Sequence, residues 1–291
     1  MQKRNILNSP RLLELKKRRK KVILNKIVFS LIGVLLVFIL LGYASRVNGL
    51  NIIDLKINGN KIITTESIET AINEELAGKY FWLFPKTNVL FYPQKEIKTI
   101  LLNKFTRIAD LTLEIKNRKT LEVSINERTA KYTWCGRVVQ DSSNANQSKC
   151  YFIDDTGYIF DEAPYFSGSV YFKFYGLTEN ATENPIGSYF DKNNFNKLIS
   201  FKENLEKMGL KPVSLWKDNS NNDDAGIELA SNKENYSPKI FFRLDSDFQN
   251  ISENLEAALT TEPLQTEFNK KYSALQYLDL RFGNKVYYKF K

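Results

Sequence analysis

One stretch of this chain limits its fold more than any other: a run of nineteen uncharged residues, IVFSLIGVLLVFILLGYAS, at positions 27–45. Lys26 and Arg46 bound the run. A helix of about 20 apolar residues crosses a hydrocarbon core of roughly 30 Å, because it hydrogen-bonds its own backbone groups. The run therefore predicts one transmembrane helix at 27–45.

The orientation of that helix follows from the charges beside it. Residues 1–26 carry ten Lys or Arg and one Glu, and few basic residues follow the run directly. Positive flanks stay on the cytoplasmic side of a membrane. We therefore expect a basic cytoplasmic tail at 1–26, a single pass through the plasma (inner) membrane, and an extracytoplasmic bulk from Arg46 onward.

A cleaved signal peptide is the other interpretation of this segment, because Gly42-Tyr43-Ala44 offers small residues near a cleavage site. A signal peptide has an apolar core of about 7 to 15 residues, and the run here is longer and follows a long basic stretch. The pattern favours an uncleaved anchor. A mature protein that begins near Ser45 would contradict it.

The net charge of +9 comes from the same tail. The 265 residues that follow it carry 32 basic and 32 acidic side chains, so they have no net charge. Nucleic-acid binding draws on an excess of Lys and Arg. The folded part is therefore not expected to bind nucleic acid.

The chain has two cysteines and no histidine. Cys135 and Cys150 bracket the polar loop GRVVQDSSNANQSK in the compartment where disulfides persist. A disulfide that closes a loop of this size contributes about 3 kcal/mol. Two unpaired buried thiols remain the alternative, because pairing cannot be deduced from sequence alone. A structural zinc site needs about four N or S ligands, which this chain does not supply.

Residues 50–128 predict a module with the order β-α-α-β-β. The strand NIIDLKIN stops at Gly59-Asn60, Thr65 is the predicted N-cap of a helix that ends at Gly78, and Pro93 opens a second helix. The alternating strands ADLTLEI and LEVSINER follow. Two helices over one face of a small sheet form a compact α+β module. The predicted buried positions are Ile68, Ala71, Ile72, Leu76, Ile97, Ile100, Leu101, Phe105, Leu111, Leu113, Ile115, Leu121, Val123 and Ile125.

Residues 129–291 predict a mostly antiparallel β domain with packed helices. The runs KYTWC, CYFID, YIF and SVYFKFYG read as short strands, with a hairpin turn at Asp154-Asp155-Thr156-Gly157. Three further strands, KPVSLWKD, AGIELA and KIFFRLD, surround the solvated loop DNSNNDDAG. One helix is predicted from about Asp191 to Met208 and another from Phe248 to Leu259, capped by Asp247. The inward positions of the first helix are Phe195, Leu198, Ile199 and Leu205.

The sequence offers little catalytic chemistry. Without histidine, no Ser-His-Asp or Cys-His arrangement can form. Ser214 and Lys217 match the S-x-x-K spacing, but about two such matches are expected by chance from this composition, and the segment reads as a strand rather than a helix. Adjacent acids such as Asp223-Asp224 and Asp161-Glu162 lie in turn-like contexts. We expect no enzyme, no cofactor, no metal and no small-molecule substrate.

Four stretches in this order resemble one family. LNIIDLKINGNKIITTESIETAI at 50–72 is similar to the opening of the POTRA module of the bacterial cell-division family FtsQ, called DivIB in Gram-positive species. Glu127-Arg128 matches that module's closing E-R-x-P motif, although Ala130 stands where proline is usual. FIDDTGYIF resembles the family's Asp-x-x-Gly hairpin. LQYLDLRFGNKVYY resembles its terminal strand pair, with Asp279, Leu280, Arg281 and Phe282 in register.

The resemblance covers residues 27–291 and implies a scaffold of the divisome at the division septum. Such a protein binds two small coiled-coil membrane proteins, FtsB-like and FtsL-like, and through them helps to control septal peptidoglycan synthesis. In this family the POTRA module aids recruitment, and the last strand of the β domain is the docking edge for the FtsB-like partner. The partner-binding residues expected here are Arg281, Phe282, Asn284, Lys285, Tyr287 and Lys289.

Local residues agree with an edge strand at KVYYKF. Val286, Tyr288 and Phe290 share one face, which we expect to be core, and Lys285, Tyr287 and Lys289 point the other way. An added partner strand would gain main-chain hydrogen bonds there. Edge lysines also serve to prevent aggregation, so that role stays open. Arg281 has two roles open as well: a partner carboxylate or an internal pair with Asp279.

The alternative function is a POTRA-bearing component of a protein transport or secretion system. Such modules also accompany outer-membrane barrels, which show many alternating segments of about 10 residues. The residues after the module include two helical patterns instead. A membrane-anchored hydrolase that uses Ser214 and Lys217 is the remaining class, and loss of activity in S214A would reveal it.

Overall fold

The computed structural model describes residues 10–137, 149–166, 170–180, 184–218, 223–231 and 237–291. Most of the polar loop predicted between the cysteines, part of the loop DNSNNDDAG and the first nine residues lie outside this described part. The chain divides into two compact units, Met1–Asn126 and Glu127–Lys291. The sequence pattern predicted a boundary two residues later, after Arg128.

The first unit begins with one long helix. This helix, α1, runs from Pro10 to Ala44, so it starts well inside the basic tail instead of at residue 27. Lys, Arg and Leu are good helix formers, which explains the extension. The segment Glu14–Ala44 is long and apolar enough to span a membrane.

The rest of the first unit is an α+β module. Its sheet, here called the small sheet, has the strand order β1-β5-β4, with β1 parallel to β5. Helices α2 and α3 contribute apolar stripes to the core. The elements are β1 (Asp54–Asn58), α2 (Thr65–Leu76), β2 (Lys79–Tyr80), β3 (Phe84–Pro85), α3 (Gln94–Lys104), β4 (Ile108–Lys116) and β5 (Thr120–Glu127).

The helix caps show how local geometry selects among similar residues. Thr64, not the predicted Thr65, is the N-cap of α2, because its backbone is extended and its hydroxyl accepts a hydrogen bond from the Ser67 amide at 3.4 Å. Ile97 and Leu101 of α3 are buried as predicted, whereas Ile100 and Phe105 are only partly buried. Leu111, Leu113, Leu121, Val123 and Ile125 are buried as the alternation predicted, whereas Ile115 is only partly buried.

The second unit is built on a larger sheet, here called the large sheet. Within the described residues it has nine strands in the order β14-β13-β12-β11-β10-β9-β6-β7-β8. The strands are β6 (Tyr132–Trp134), β7 (Cys150–Ile153), β8 (Ile159–Ala163), β9 (Lys173–Tyr175), β10 (Pro212–Lys217), β11 (Asp224–Leu229), β12 (Lys239–Arg243), β13 (Leu275–Phe282) and β14 (Lys285–Phe290). Most neighbouring pairs are antiparallel, which confirms the predicted mostly antiparallel α+β class.

Helices connect two of the parallel pairs of the large sheet. α4 (Phe195–Lys207) leads from β9 to its parallel neighbour β10. α5 (Phe248–Leu259) and α6 (Leu264–Lys271) lead from β12 to β13, which are also parallel. A parallel neighbour can only be reached by a long crossover, so these helices follow from the strand order. The sequence pattern did not predict α6.

The core of the second unit lies between these helices and one face of the large sheet. Phe195, Leu198 and Leu205 of α4 are buried as predicted, but Phe201 is fully buried while Ile199 packs at the margin. Phe201 lies 5.1 Å from Phe242 of β12, between ring centroids, and the two rings meet at a steep angle. Such edge-to-face packing joins helix and sheet in the core.

Candidate partner-binding edge

The strand β14 is one of the two outermost strands of the large sheet. It pairs antiparallel with β13 after a tight turn at Gly283-Asn284, where Gly283 has a positive φ of 64°. In the described part of the chain no strand lies on its other side. An outermost strand carries backbone N–H and C=O groups that another chain can pair with.

The side chains of β14 divide between two faces as its alternation predicts. Val286, Tyr288 and Phe290 pack at the margin of the core of the second unit. Lys285, Tyr287 and Lys289 are exposed, with Tyr287 48% accessible. Neither lysine forms an ion pair within the residues that the structure describes. The exposed face of the edge therefore combines an aromatic ring with two cations.

Arg281 pairs internally. Its guanidinium bonds both carboxylate oxygens of Asp279, at 2.9 and 2.7 Å, and Asp224 of β11 at 3.0 Å. The hydrogen bonds to Asp279 come first in raising the pKa of Arg281 far above its ordinary value, with Asp224 adding to them. Of the two roles left open for Arg281, the structure therefore contains the internal pair, which binds β13 to β11 across β12.

Phe282 and Asn284 occupy the turn end of the hairpin. Phe282 is 57% exposed and meets Tyr287 edge to face at 5.4 Å between ring centroids. Asn284 is exposed in the turn itself. Four of the six predicted partner-binding residues, Phe282, Lys285, Tyr287 and Lys289, therefore line one accessible stretch at the outer strand, with Asn284 beside it and Arg281 behind it.

A row of cross-strand partners adjoins this edge, and sequence reasoning missed it. The register places Trp216, Gly226, Phe241, Asp279 and Tyr287 side by side on the face away from the helices. The Trp216 ring lies over Gly226, where a Cβ would come within 2.4 Å of it, and also contacts Phe241 at 5.9 Å between centroids. The alternation in each strand identifies the outward positions, but only the register aligns them.

The other end of the large sheet contains two of the motifs that the sequence singled out. Arg128 forms an ion pair with Asp154, and both side chains are mostly buried, at 16% and 6% exposure. The Asp154 carboxylate also accepts hydrogen bonds from the amides of Thr156 and Tyr158, and the guanidinium lies 4.1 Å from the centre of the Tyr158 ring. This arrangement holds the hairpin between β7 and β8.

Cys135 and Cys150 lie near this same end and form a disulfide, with their Cα atoms 4.2 Å apart. The bond joins the residue after β6 to the first residue of β7, which are neighbouring strands. Most of the loop that it closes lies outside the described residues.

Ser214 and Lys217 have separate partners. Ser214 donates to Glu228 at 3.0 Å, whereas Lys217 donates to the carbonyl of Phe190 at 2.9 Å and lies 3.7 Å from Asp191. Burial lowers the pKa of Lys217, and Asp191 opposes that shift. Two residues three apart on a strand point to opposite faces, so this serine and this lysine do not meet.

The chain matches no protein-family model and no curated protein. Among the described residues, no group of three or more acidic, cysteine or histidine side chains could hold a metal ion. The β14 edge is an outer strand with exposed Lys285, Tyr287 and Lys289.

Proposed function

We propose that this chain is a single-pass membrane scaffold of the FtsQ/DivIB type at the division septum. In this proposal it binds FtsB-like and FtsL-like coiled-coil proteins and through them helps to control septal peptidoglycan synthesis. The module with β1 to β5 corresponds to the family's POTRA module, and the second unit corresponds to its β domain. The basic tail is cytoplasmic, and the module with β1 to β5 and the second unit are extracytoplasmic.

The observation that carries this proposal is the position of β14 at the edge of the large sheet. A partner segment can add to such an edge as a further strand, gaining backbone hydrogen bonds along the six residues Lys285–Phe290. Tyr287 offers contact area at low entropic cost, and Lys285 and Lys289 attract acidic groups. A segment with alternating acidic and apolar side chains is the partner that this surface fits.

The apolar part of α1 supports the membrane location. Its length and composition allow one span, and the basic residues lie at its N-terminal end. A partner that is itself a small single-span protein would meet the scaffold in the same membrane.

The test is a pull-down of the tagged full-length protein from detergent-solubilised membranes of the native cells, with bound proteins identified by mass. The protein is compared with the variant Y287A/K289A and with the control Y165A/K149A. Tyr165 and Lys149 are exposed residues near the β7–β8 end of the sheet, so the control removes the same side-chain types elsewhere.

We expect small coiled-coil division proteins with the parent chain and the control, and their loss with Y287A/K289A. If both variants retain these partners, the divisome role stands and the docking site lies elsewhere. If the parent chain retains no division protein, the proposed role is refuted.

A further inference from the structure

The most exposed aromatic side chains of the first unit lie on one short loop. Phe81 and Trp82, at the tip of the β2–β3 hairpin, are 81% and 90% accessible. The turn is closed by a hydrogen bond from the Leu83 amide to the Tyr80 carbonyl at 3.1 Å. The fold of the module thus displays two large apolar rings that its own core does not take up.

The backbone of this tip is strained. Phe81 and Trp82 have φ values of 46° and 60°, in the left-handed region where bulky residues are uncommon. This conformation is unfavourable for residues other than glycine, because the Cβ approaches the following carbonyl oxygen. Glycine or asparagine is the usual residue in a turn of this kind. An aromatic pair occupies this turn instead, so backbone conformation does not account for the choice of these two residues.

The loop lies against the apolar segment of α1. The Phe38 ring is 5.1 Å from the Phe84 ring and 6.3 Å from the Phe81 ring, between centroids. Leu83 packs at Gly42, where an added Cβ would come within 3.1 Å of the Leu83 Cβ. Phe38 precedes the last residue of α1 by six positions, about 9 Å along the helix axis. The loop therefore lies alongside the end of the predicted span and not beyond it.

Hydrogen bonds hold the module in this position on α1. The carbonyl of Ser45 accepts from the side-chain amides of Asn88, at 2.9 Å, and Asn51, at 3.1 Å. Asn51 also donates to the Val47 carbonyl at 2.8 Å. The last carbonyls of a helix lack partners within it, so these two asparagines cap the end of α1.

Apolar side chains cluster around the loop, and basic side chains lie next to them. Phe84 meets Phe91 at 6.1 Å between centroids, and Leu90 beside it is exposed. We call these side chains the aromatic patch: Phe81, Trp82, Leu83, Phe84, Leu90 and Phe91. Basic side chains lie beside it: Arg46 donates to the Leu83 carbonyl, and Lys79 and Lys86 lie at the strand end of the β2–β3 hairpin.

We propose that the aromatic patch inserts into the outer-leaflet interface of the membrane that α1 crosses. This inference rests on the membrane anchoring in the proposed function. Trp is enriched at the membrane–water interface, where its ring sits at headgroup level, and nearby Lys and Arg extend toward the lipid phosphates. Apolar rings beside the span with cations next to them fit that environment. The module then has two membrane contacts, and its orientation on the bilayer is fixed.

Fluorescence quenching by brominated lipid tests this proposal on the full-length chain. The protein is reconstituted into vesicles of phosphatidylethanolamine and phosphatidylglycerol, with or without phosphatidylcholine brominated on its acyl chains. Three chains are compared: the parent chain, W82F and W82F/I62W. The last variant restores the number of tryptophans at a different position. Ile62 is exposed and follows the end of β1 that is farther from α1 along the chain.

We expect brominated lipid to quench a larger fraction of the emission of the parent chain than of W82F or W82F/I62W. Bromine near the headgroup should quench more than bromine near the chain end, because an interfacial ring lies at shallow depth. Equal fractional quenching of the parent chain and W82F would overturn the proposal. Protection of Trp82 from aqueous iodide without quenching by bromine would also overturn it, in favour of a protein that covers the patch.

Vesicle flotation separates this inference from the function on which it rests. If the chain floats with vesicles and resists carbonate extraction but Trp82 is not quenched, anchoring stands and the second contact fails. If the chain does not float, the anchoring itself fails, and the inference falls with it.

Discussion

The two ends of the large sheet differ in what completes their outermost strands. At the β8 end the chain itself supplies a cover: the Ile159 amide donates to the Ser188 carbonyl at 2.9 Å, and the Gly187 amide donates to the Ile159 carbonyl at 2.8 Å. The Glu162 amide bonds the Asp161 carboxylate. At the β14 end the described residues provide no such cover. The chain itself thus covers the start of β8, here called the closed end, whereas the described residues leave the outer side of β14, here called the open end, uncovered.

The same two ends differ in how they are braced. The Arg128–Asp154 pair and the Cys135–Cys150 disulfide hold the strands near β8. The β14 end is held by the Arg281 ion pairs on one face and by apolar packing of Val286, Tyr288 and Phe290 on the other. The β8 end thus carries a mostly buried ion pair and a disulfide, whereas β14 carries exposed side chains that we propose for partner binding.

The largest expected loss of unfolding free energy is at the closed end of the sheet, near β8. R128A should lower the free energy of unfolding by about 3–5 kcal/mol, because the mostly buried Asp154 carboxylate loses its cation. Urea unfolding of the full chain in detergent measures it. R243A is the matched control, since Arg243 forms exposed ion pairs and should cost far less. Equal losses in the two variants would remove the distinction between a bracing pair and a surface pair.

Removal of the disulfide should cause the next largest loss of unfolding free energy. C135S/C150S, which opens a link across 15 positions, should lose about 3 kcal/mol of unfolding free energy. The same loss should follow when the parent chain is reduced with dithiothreitol, and dithiothreitol should leave the variant unchanged. A parent chain insensitive to reduction would show that the bond does not brace this end.

Binding, not stability, should respond at the open end. Y287A/K289A should change the unfolding free energy by less than about 0.5 kcal/mol, because both side chains are exposed. It should weaken the affinity for the proposed coiled-coil partner at least tenfold, about 1.4 kcal/mol. Titration calorimetry with the purified partner measures the affinity of the parent chain and of the variant, and urea unfolding compares their stability. Unchanged affinity, or a large loss of stability, would break the comparison between the two ends.

The smallest effect is expected from charge alone. K285Q/K289Q should reduce the partner affinity a few-fold at low salt and less at high salt, since exposed charges act mainly on association and are screened. If the lysines only prevent aggregation, the variant should instead self-associate while it binds the partner normally. Sedimentation and titration at two salt concentrations distinguish these results.

Much of the fold was predictable because it depends on residues close together in sequence. The stripe of Ile68, Ala71, Ile72 and Leu76 predicted the buried face of α2, and the alternation in KVYYKF predicted which side chains of β14 face the core. In both cases the periodicity of one element decides which side chains face inward. The helix α6 was not predicted, because it is short, follows Pro263 and contains few apolar residues.

The candidate site was predictable only in part for the same reason. Lys285, Tyr287 and Lys289 could be assigned to one face from their spacing. The pairing of Arg281 with Asp224, 57 positions away, could not be predicted. It requires β13 and β11 to lie on either side of β12. The row from Trp216 to Tyr287 likewise depends on four registers at once.

The sequence by itself determined the apolar span, the α+β class, the faces of most helices and strands and the two side-chain sets of β14, since each depends on a local periodicity. Only the tertiary structure decided that Ser188 covers β8, that the described strands leave the outer side of β14 uncovered, and that the rings of Phe81 and Trp82 lie beside the end of α1. Those outcomes depend on contacts between residues far apart in the chain, and no local pattern specifies which distant strand or helix a segment will meet.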